Sequence, residues 1–244
     1  MSETDGRTRR ALFKFGLSAA SLAGLGAWIR CGADDELDLP WPLRRILEGN
    51  GALWQAAADP AKQSASSVQP PAPGTRARLN GDIGLTATDE GARAIEIESG
   101  AQSLSLTPAR WATLPRASES ALFCCVEGWS EPMAYSGVRF SEVMDRLRLG
   151  RKEDGSFFRY VGLETPDGEY YVSLDVESMR HSQTLLADEQ NGAPLLISHG
   201  APVRLIIPIK YGIKSLKRVG RVTFADRRPP DYWNEAGYDW HASL

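Results

Sequence analysis

Short alternating runs dominate the chain beyond residue 76. Ile95 and Ile97 alternate with Glu96 and Glu98, and Leu104 and Leu106 alternate with Ser103 and Ser105. Residues 94–98 and 102–107 are therefore predicted strands joined by a turn at Gly100. Pro108 opens a short helix over 108–114, and Ser141 caps a second over 141–147. Further strands are expected at 121–127, 159–164, 170–174, 203–209 and 219–225, the first buried and ending near Cys125. Strands and short helices in irregular order predict an α+β fold, not a doubly wound sheet. No Gly-x-Gly-x-x-Gly follows any strand, which argues against a dinucleotide cofactor.

The texture is different ahead of residue 76. Arg9 and Arg10, then Leu12, Phe13 and Lys14, precede an apolar stretch that runs to about Ile29. This order reads as a twin-arginine export signal, either cleaved or kept as an anchor, over residues 1–33, and it places the protein in the periplasm. Residues 34–75 read as a helical arm, with Leu43, Ile46 and Leu47 on one face, leading into an Ala/Pro/Ser-rich linker. One catalytic domain is expected over 76–244.

Bulk properties narrow the partners. A net charge of −3 over 244 residues lacks the broad basic face that a nucleic-acid backbone demands. Three cysteines and three histidines are too scattered for a zinc cluster. Cys124 and Cys125 are adjacent, a strained geometry for a disulfide, so a thiol redox couple is disfavoured.

Two segments carry candidate chemistry. In residues 200–217, Arg204 sits inside the apolar run Val203, Leu205, Ile206 and Ile207, and Lys210, Lys214 and Lys217 follow. A guanidinium cannot shed its charge, so burying it costs several kcal/mol unless an anion meets it. His199 lies five residues ahead, able to share that anion, and the three lysines read as cations converging on a phosphate. In the second segment Cys125 precedes Val126-Glu127-Gly128-Trp129, where a strand gives way to a turn. Cys124 would then face the opposite side. A soft sulfur ligand beside an anion cradle suggests a phosphorylated, metal-bearing cofactor. Thr165, ending a strand at a Pro166-Asp167-Gly168 turn, and Asn80 before Gly81 read as turn residues with spare donors.

Cys125 to Ser130, residues 192–217 and Arg227-Arg228-Pro229-Pro230 together make the chain resemble the sulfite oxidase-like molybdopterin oxidoreductases, most closely their protein-methionine-sulfoxide reductase branch. The resemblance implies an α+β molybdopterin-binding fold and a molybdenum–molybdopterin cofactor whose metal is held by Cys125. It implies cofactor contacts from Asn80, Thr165, His199, Arg204, Ser215, Leu216 and Lys217. His199 stands where the reductases carry Asn and sulfite oxidases carry His. The implied activity is two-electron oxygen-atom transfer, reducing an S-oxide or N-oxide, with methionine sulfoxide or another small molecule as substrate. Sulfite dehydrogenase-type oxidation and a cofactor-free binding module are the alternatives. The chain has no Cys-x-x-Cys-His for covalent haem. The expected electron partner is thus a separate b-type membrane or soluble c-type cytochrome, and the catalytic subunit is expected to be monomeric.

Overall fold

The computed structural model describes residues 63–85 and 94–244, together with Arg45, Ile46, Gly49, Asn50 and Leu53, which are helical. The export-signal reading of residues 1–33 lies outside the described residues, as do Leu43 and Leu47 of the helical arm. Residues 1–53 and 54–244 cluster as two units, and the sheets belong to the second.

In chain order the second unit runs β1 (Ile95–Ser99), β2 (Gln102–Leu106), α1 (Pro108–Trp111), β3 (Arg116–Cys124), β4 (Ser130–Arg139), α2 (Phe140–Leu147), β5 (Tyr160–Glu164), β6 (Tyr171–Asp175), α3 (Val176–Arg180), β7 (Leu185–Gln190), β8 (Ala193–Pro194), β9 (Arg204–Ile206), β10 (Arg221–Ala225) and α4 (Tyr232–Glu235). One sheet has the order β2-β1-β10-β5-β6, and its β1–β10 pair is parallel. The other has the order β3-β4-β7-β8, with β9 also paired to β7. Two mixed sheets with few short helices make an α+β fold, as the pattern predicts.

Alternation explains the layers. Leu186 and Leu205 join the main core with Ile95, Ile97, Val161, Val172 and Val222. Their neighbours Leu185, Ala187 and Ile206 face the other way, into a second cluster with Ala77, Met133 and Tyr135. The second sheet is therefore covered on both faces, and residues 63–85 run along it. Ala65 N–H donates to Gln183 Oε1, Ser67 bridges Ala121, and Gly74 N–H donates to Asn191 O.

Several elements differ from expectation. β4 is the longest strand and was not predicted. The strand expected over 121–127 instead starts at Arg116 and ends at Cys124, so Cys125 lies in the hairpin turn that follows. The run 203–209 contributes only three strand residues, Arg204–Ile206. α2 is capped by Arg139 with no side-chain bond, so Ser141 lies inside the helix and does not cap it.

Candidate functional site

Cys125 is set by the β3–β4 hairpin. Nine residue pairs, from Arg116 opposite Val138 to Cys124 opposite Ser130, align the strands. The turn closes with Cys125 N–H donating to Trp129 O (2.9 Å) and Gly128 N–H donating to Cys125 O (3.1 Å). Gly128 takes φ +87°, a conformation a side chain disfavours. Cys125 is buried and Cys124 half-buried, both as free thiols. Asn80 Nδ2 donates to Cys125 Sγ at 3.4 Å.

Two positive charges, Arg204 and Lys217, gather beside His199. Arg204 is 3% exposed at the start of β9. It donates through Nη1 to His199 O (3.0 Å) and through Nη2 to Ser215 O (3.2 Å), and lies 5.5 Å from the Tyr135 ring centre. Its Nε is buried without a partner. Lys217 Nζ donates to Asn80 O (2.7 Å), Gly81 O (2.7 Å) and Ser198 O (2.9 Å). Among the described residues no carboxylate lies within 4 Å of Arg204 or Lys217. Burial, then the nearby Arg204, pushes the Lys217 ammonium down to about 8, opposed by Asp82. Burial first, then Arg204, Lys217 and Arg76, hold the His199 imidazole below its ordinary value, with Glu131 opposing.

Two glycines let these segments approach. A Cβ on Gly212 would stand 2.6 Å from the Phe123 ring, so only glycine brings the 210–217 segment against the end of β3. A Cβ on Gly84, at φ +74°, would stand 2.5 Å from the Thr165 methyl.

The expected residues divide. Asn80, Cys125, His199, Arg204 and Lys217 are joined by direct hydrogen bonds or by carbonyls one residue away. Ser215 contributes its carbonyl to Arg204, while its hydroxyl accepts from Ile207 N–H (3.3 Å). Leu216 is fully buried in the main core, and its carbonyl accepts from Leu205 N–H (2.8 Å). The Thr165 hydroxyl donates to Asp167 Oδ1 (2.5 Å) and accepts from Tyr170 N–H (3.1 Å), which occupies it within its own turn.

The lysine series does not converge on one anion. Lys214 is fully buried against Asp231 and Ser173 O. Lys210 lies 3.9 Å from Asp175 and donates to Ser243 Oγ (3.2 Å). Carboxylates brought from elsewhere in the chain neutralise both, leaving Lys217 alone at the site.

Sequence reasoning missed Arg76, Arg78 and Glu131. Arg78 stacks 4.6 Å over Trp129, and its N–H donates to Glu131 Oε2 (3.0 Å). The available signal was the Arg76-Ala77-Arg78 alternation, which in extended chain puts both guanidinium groups on one face. Exposed apolar side chains flank the site: Leu79 beside Asn80, Val126 beside Cys125, and Leu196 and Ile197 ahead of His199. A separate cleft of about 340 Å³ lies beside Thr165, between Glu96, Glu164 and Arg221. It touches neither Cys125 nor Arg204. With carboxylates on its wall and the Glu164–Arg221 ion pair across it, it does not suit an anionic ligand.

The site therefore offers a buried thiol and, close by, a buried guanidinium with an unused donor and no counter-charge. Buried polar groups are rarely left unpaired, and buried charges more rarely still. Both features fit a soft metal carried on an anionic organic group.

Comparisons with known proteins agree. An Azospira oryzae protein named for a protein-methionine-sulfoxide reductase subunit, YedZ1, is 35% identical over 127 residues, covering 52% of this chain and 46% of that protein. The protein-methionine-sulfoxide reductase catalytic subunit MsrP of Xanthomonas axonopodis pv. citri is 33% identical over 123 residues, covering 46% and 37%. The chain thus spans less than half the length of these relatives. A solved structure of the sulfane dehydrogenase SoxCD from Paracoccus pantotrophus aligns with TM-score 0.49 and 22% identity over 56% of this chain and 39% of that one. A family model described as the oxidoreductase molybdopterin binding domain matches residues 89–233, more than half of the chain. The chain belongs to that molybdopterin-binding oxidoreductase family.

Proposed function

We propose that the protein is the catalytic part of an exported molybdopterin-dependent reductase acting on sulfoxides borne on an organic or peptide chain, with Cys125 as the protein's ligand to molybdenum. The observation that carries the reading is a buried Cys125 thiol joined, through Asn80, Lys217 and the loop bearing His199, to an Arg204 charge that meets no carboxylate. Among the described residues no three His, Cys, Asp or Glu side chains converge on a metal site, so Cys125 would be the chain's own donor and the pterin would supply others.

When bound, a molybdenum–pterin supplies two-electron oxygen-atom transfer. The residues of this chain orient and neutralise it. Arg204 and His199 would meet its anionic tail, Arg204 through the free Nε, while Asn80 donates to the sulfur and strengthens its thiolate character. The Ser215 carbonyl holds the Arg204 guanidinium in place. Leu79, Val126, Leu196 and Ile197, exposed beside Asn80, Cys125 and His199 in the chain, would offer apolar surface that suits a thioether chain better than the strongly hydrated sulfite anion. That preference agrees with the relatives named for protein methionine sulfoxide.

Export by the twin-arginine route rests on Arg9 and Arg10, and a separate haem protein as electron partner rests on the missing haem-attachment motif. The test sets dye-coupled reduction of methionine sulfoxide, free and in a peptide, beside dye-coupled sulfite oxidation on protein from a molybdenum-replete host. Sulfoxide turnover exceeding sulfite turnover is expected; the reverse order would move the assignment to sulfite oxidation.

A further inference from the structure

We propose that Lys217 is a positioning residue whose ammonium clamps residues 79–83 across the Cys125 thiol and thereby sets the Asn80 amide on the sulfur. The resemblance assigned Lys217 to the cofactor phosphate; the geometry assigns its donors elsewhere. An ammonium has three N–H donors. Here backbone carbonyls take all three, two from the 79–83 segment and one from Ser198 in the loop ahead of His199.

The segment needs such a clamp. Arg78 to Asp82 are exposed and carry no helix or strand. The segment is tied at one end by Arg78 N–H to Glu131, and at the other by Gly84 seated on Thr165. Between those ends the Lys217 contacts and the Asn80–Cys125 bond pin it. One side chain thus joins three pieces of the site: the segment bearing Asn80, the loop bearing His199, and its own strand connection after Arg204. The consequence for a metal at Cys125 rests on the proposed function, but the clamp does not.

The test compares full-length wild type, Lys217→Met and Lys217→Arg, each purified from a host unable to make molybdopterin, so that a failure of the cofactor assignment leaves the result intact. Trypsin cleavage of the Arg78–Leu79 bond reports the segment, because a protease needs several flanking residues free. Alkylation by N-ethylmaleimide reports Cys125, with Cys124 as internal reference. In Lys217→Met, cleavage at Arg78 and alkylation of Cys125 should both rise about tenfold or more, while Cys124 and the thermal transition change little. Lys217→Arg, which keeps several charged donors, should stay near wild type. Asn80→Ala should speed Cys125 alkylation without speeding cleavage. Unchanged cleavage in a folded Lys217→Met protein would overturn the clamp. Should that variant fail to fold, wild type decides: cleavage at Arg78 as fast as in the denatured chain overturns the proposal, and marked resistance supports it.

Discussion

Two clusters of cations arise from one stretch of chain, and only one of them meets carboxylates. Lys210 and Lys214 sink into a knot with Asp175 and Asp231, where each positive charge faces a carboxylate. The C-terminal segment closes over the knot, with Trp240 Nε1 donating to Ser173 Oγ (2.7 Å) and Tyr211 N–H to Ala242 O (2.8 Å). Arg204 and Lys217 lie a few residues away and meet only carbonyls. A paired buried charge holds a fold together, whereas an uncompensated one waits for a ligand of opposite sign. The difference in counter-charge separates scaffold from site here, even though Arg204 is as buried as Lys210 and Lys214.

Breaking the knot should produce the largest effect. Asp231→Ala leaves Lys214 buried and unpaired and strips the cap from α4, so a loss of about 3–5 kcal/mol is expected by chemical denaturation. Replacing both partners, Lys214→Met with Asp231→Leu, should recover most of that loss. Arg204→Met is the counterpart at the site. It removes a charge with no carboxylate partner, so the stability loss should stay under about 2 kcal/mol. Its molybdenum content, by contrast, should fall at least tenfold. A stability loss as large as that of Asp231→Ala would erase the distinction between the clusters.

The smallest effect is on pH dependence. His199 titrates below its unfolded value, so the unfolded chain takes up its proton first as pH falls. The contribution of His199 to stability is complete above about pH 6.5 and is lost progressively below it. His241, depressed chiefly by burial, acts in the same window from the knot side. The groups acting on His199 are Arg204, Lys217, Arg76 and Glu131. His199→Gln should therefore flatten, without abolishing, the fall in stability between pH 7 and 5, read as denaturation midpoints. An unchanged slope would show that neither burial nor the site charges hold the imidazole down.

Clean alternation made the first hairpin legible: Ile95 and Ile97 are buried between exposed Glu96 and Glu98. β4 was not legible, because Pro132 and Gly137 argue against a central strand. Gly137 is nevertheless required. A Cβ there would stand 2.0 Å from Leu186 O, beside the register shift between Ser136 and Gly137. Cys125, His199, Arg204 and Lys217 stood out because unusual residues stand at punctuated positions, whereas Asn80 read as a plain turn residue and joined them only through the family resemblance. The division among the lysines was not readable, since Asp175 and Asp231 reach them only through the tertiary fold. Nor could spacing reveal that the hydroxyls of Thr165 and Ser215 are engaged by neighbouring backbone.

Molybdenum analysis of full-length protein purified from a molybdenum-replete host tests the assignment most directly, comparing wild type with Cys125→Ser and Cys124→Ser. Wild type and Cys124→Ser should carry close to one metal per chain, and Cys125→Ser should retain little or none. Equal molybdenum in all three proteins would contradict the assignment of that thiol.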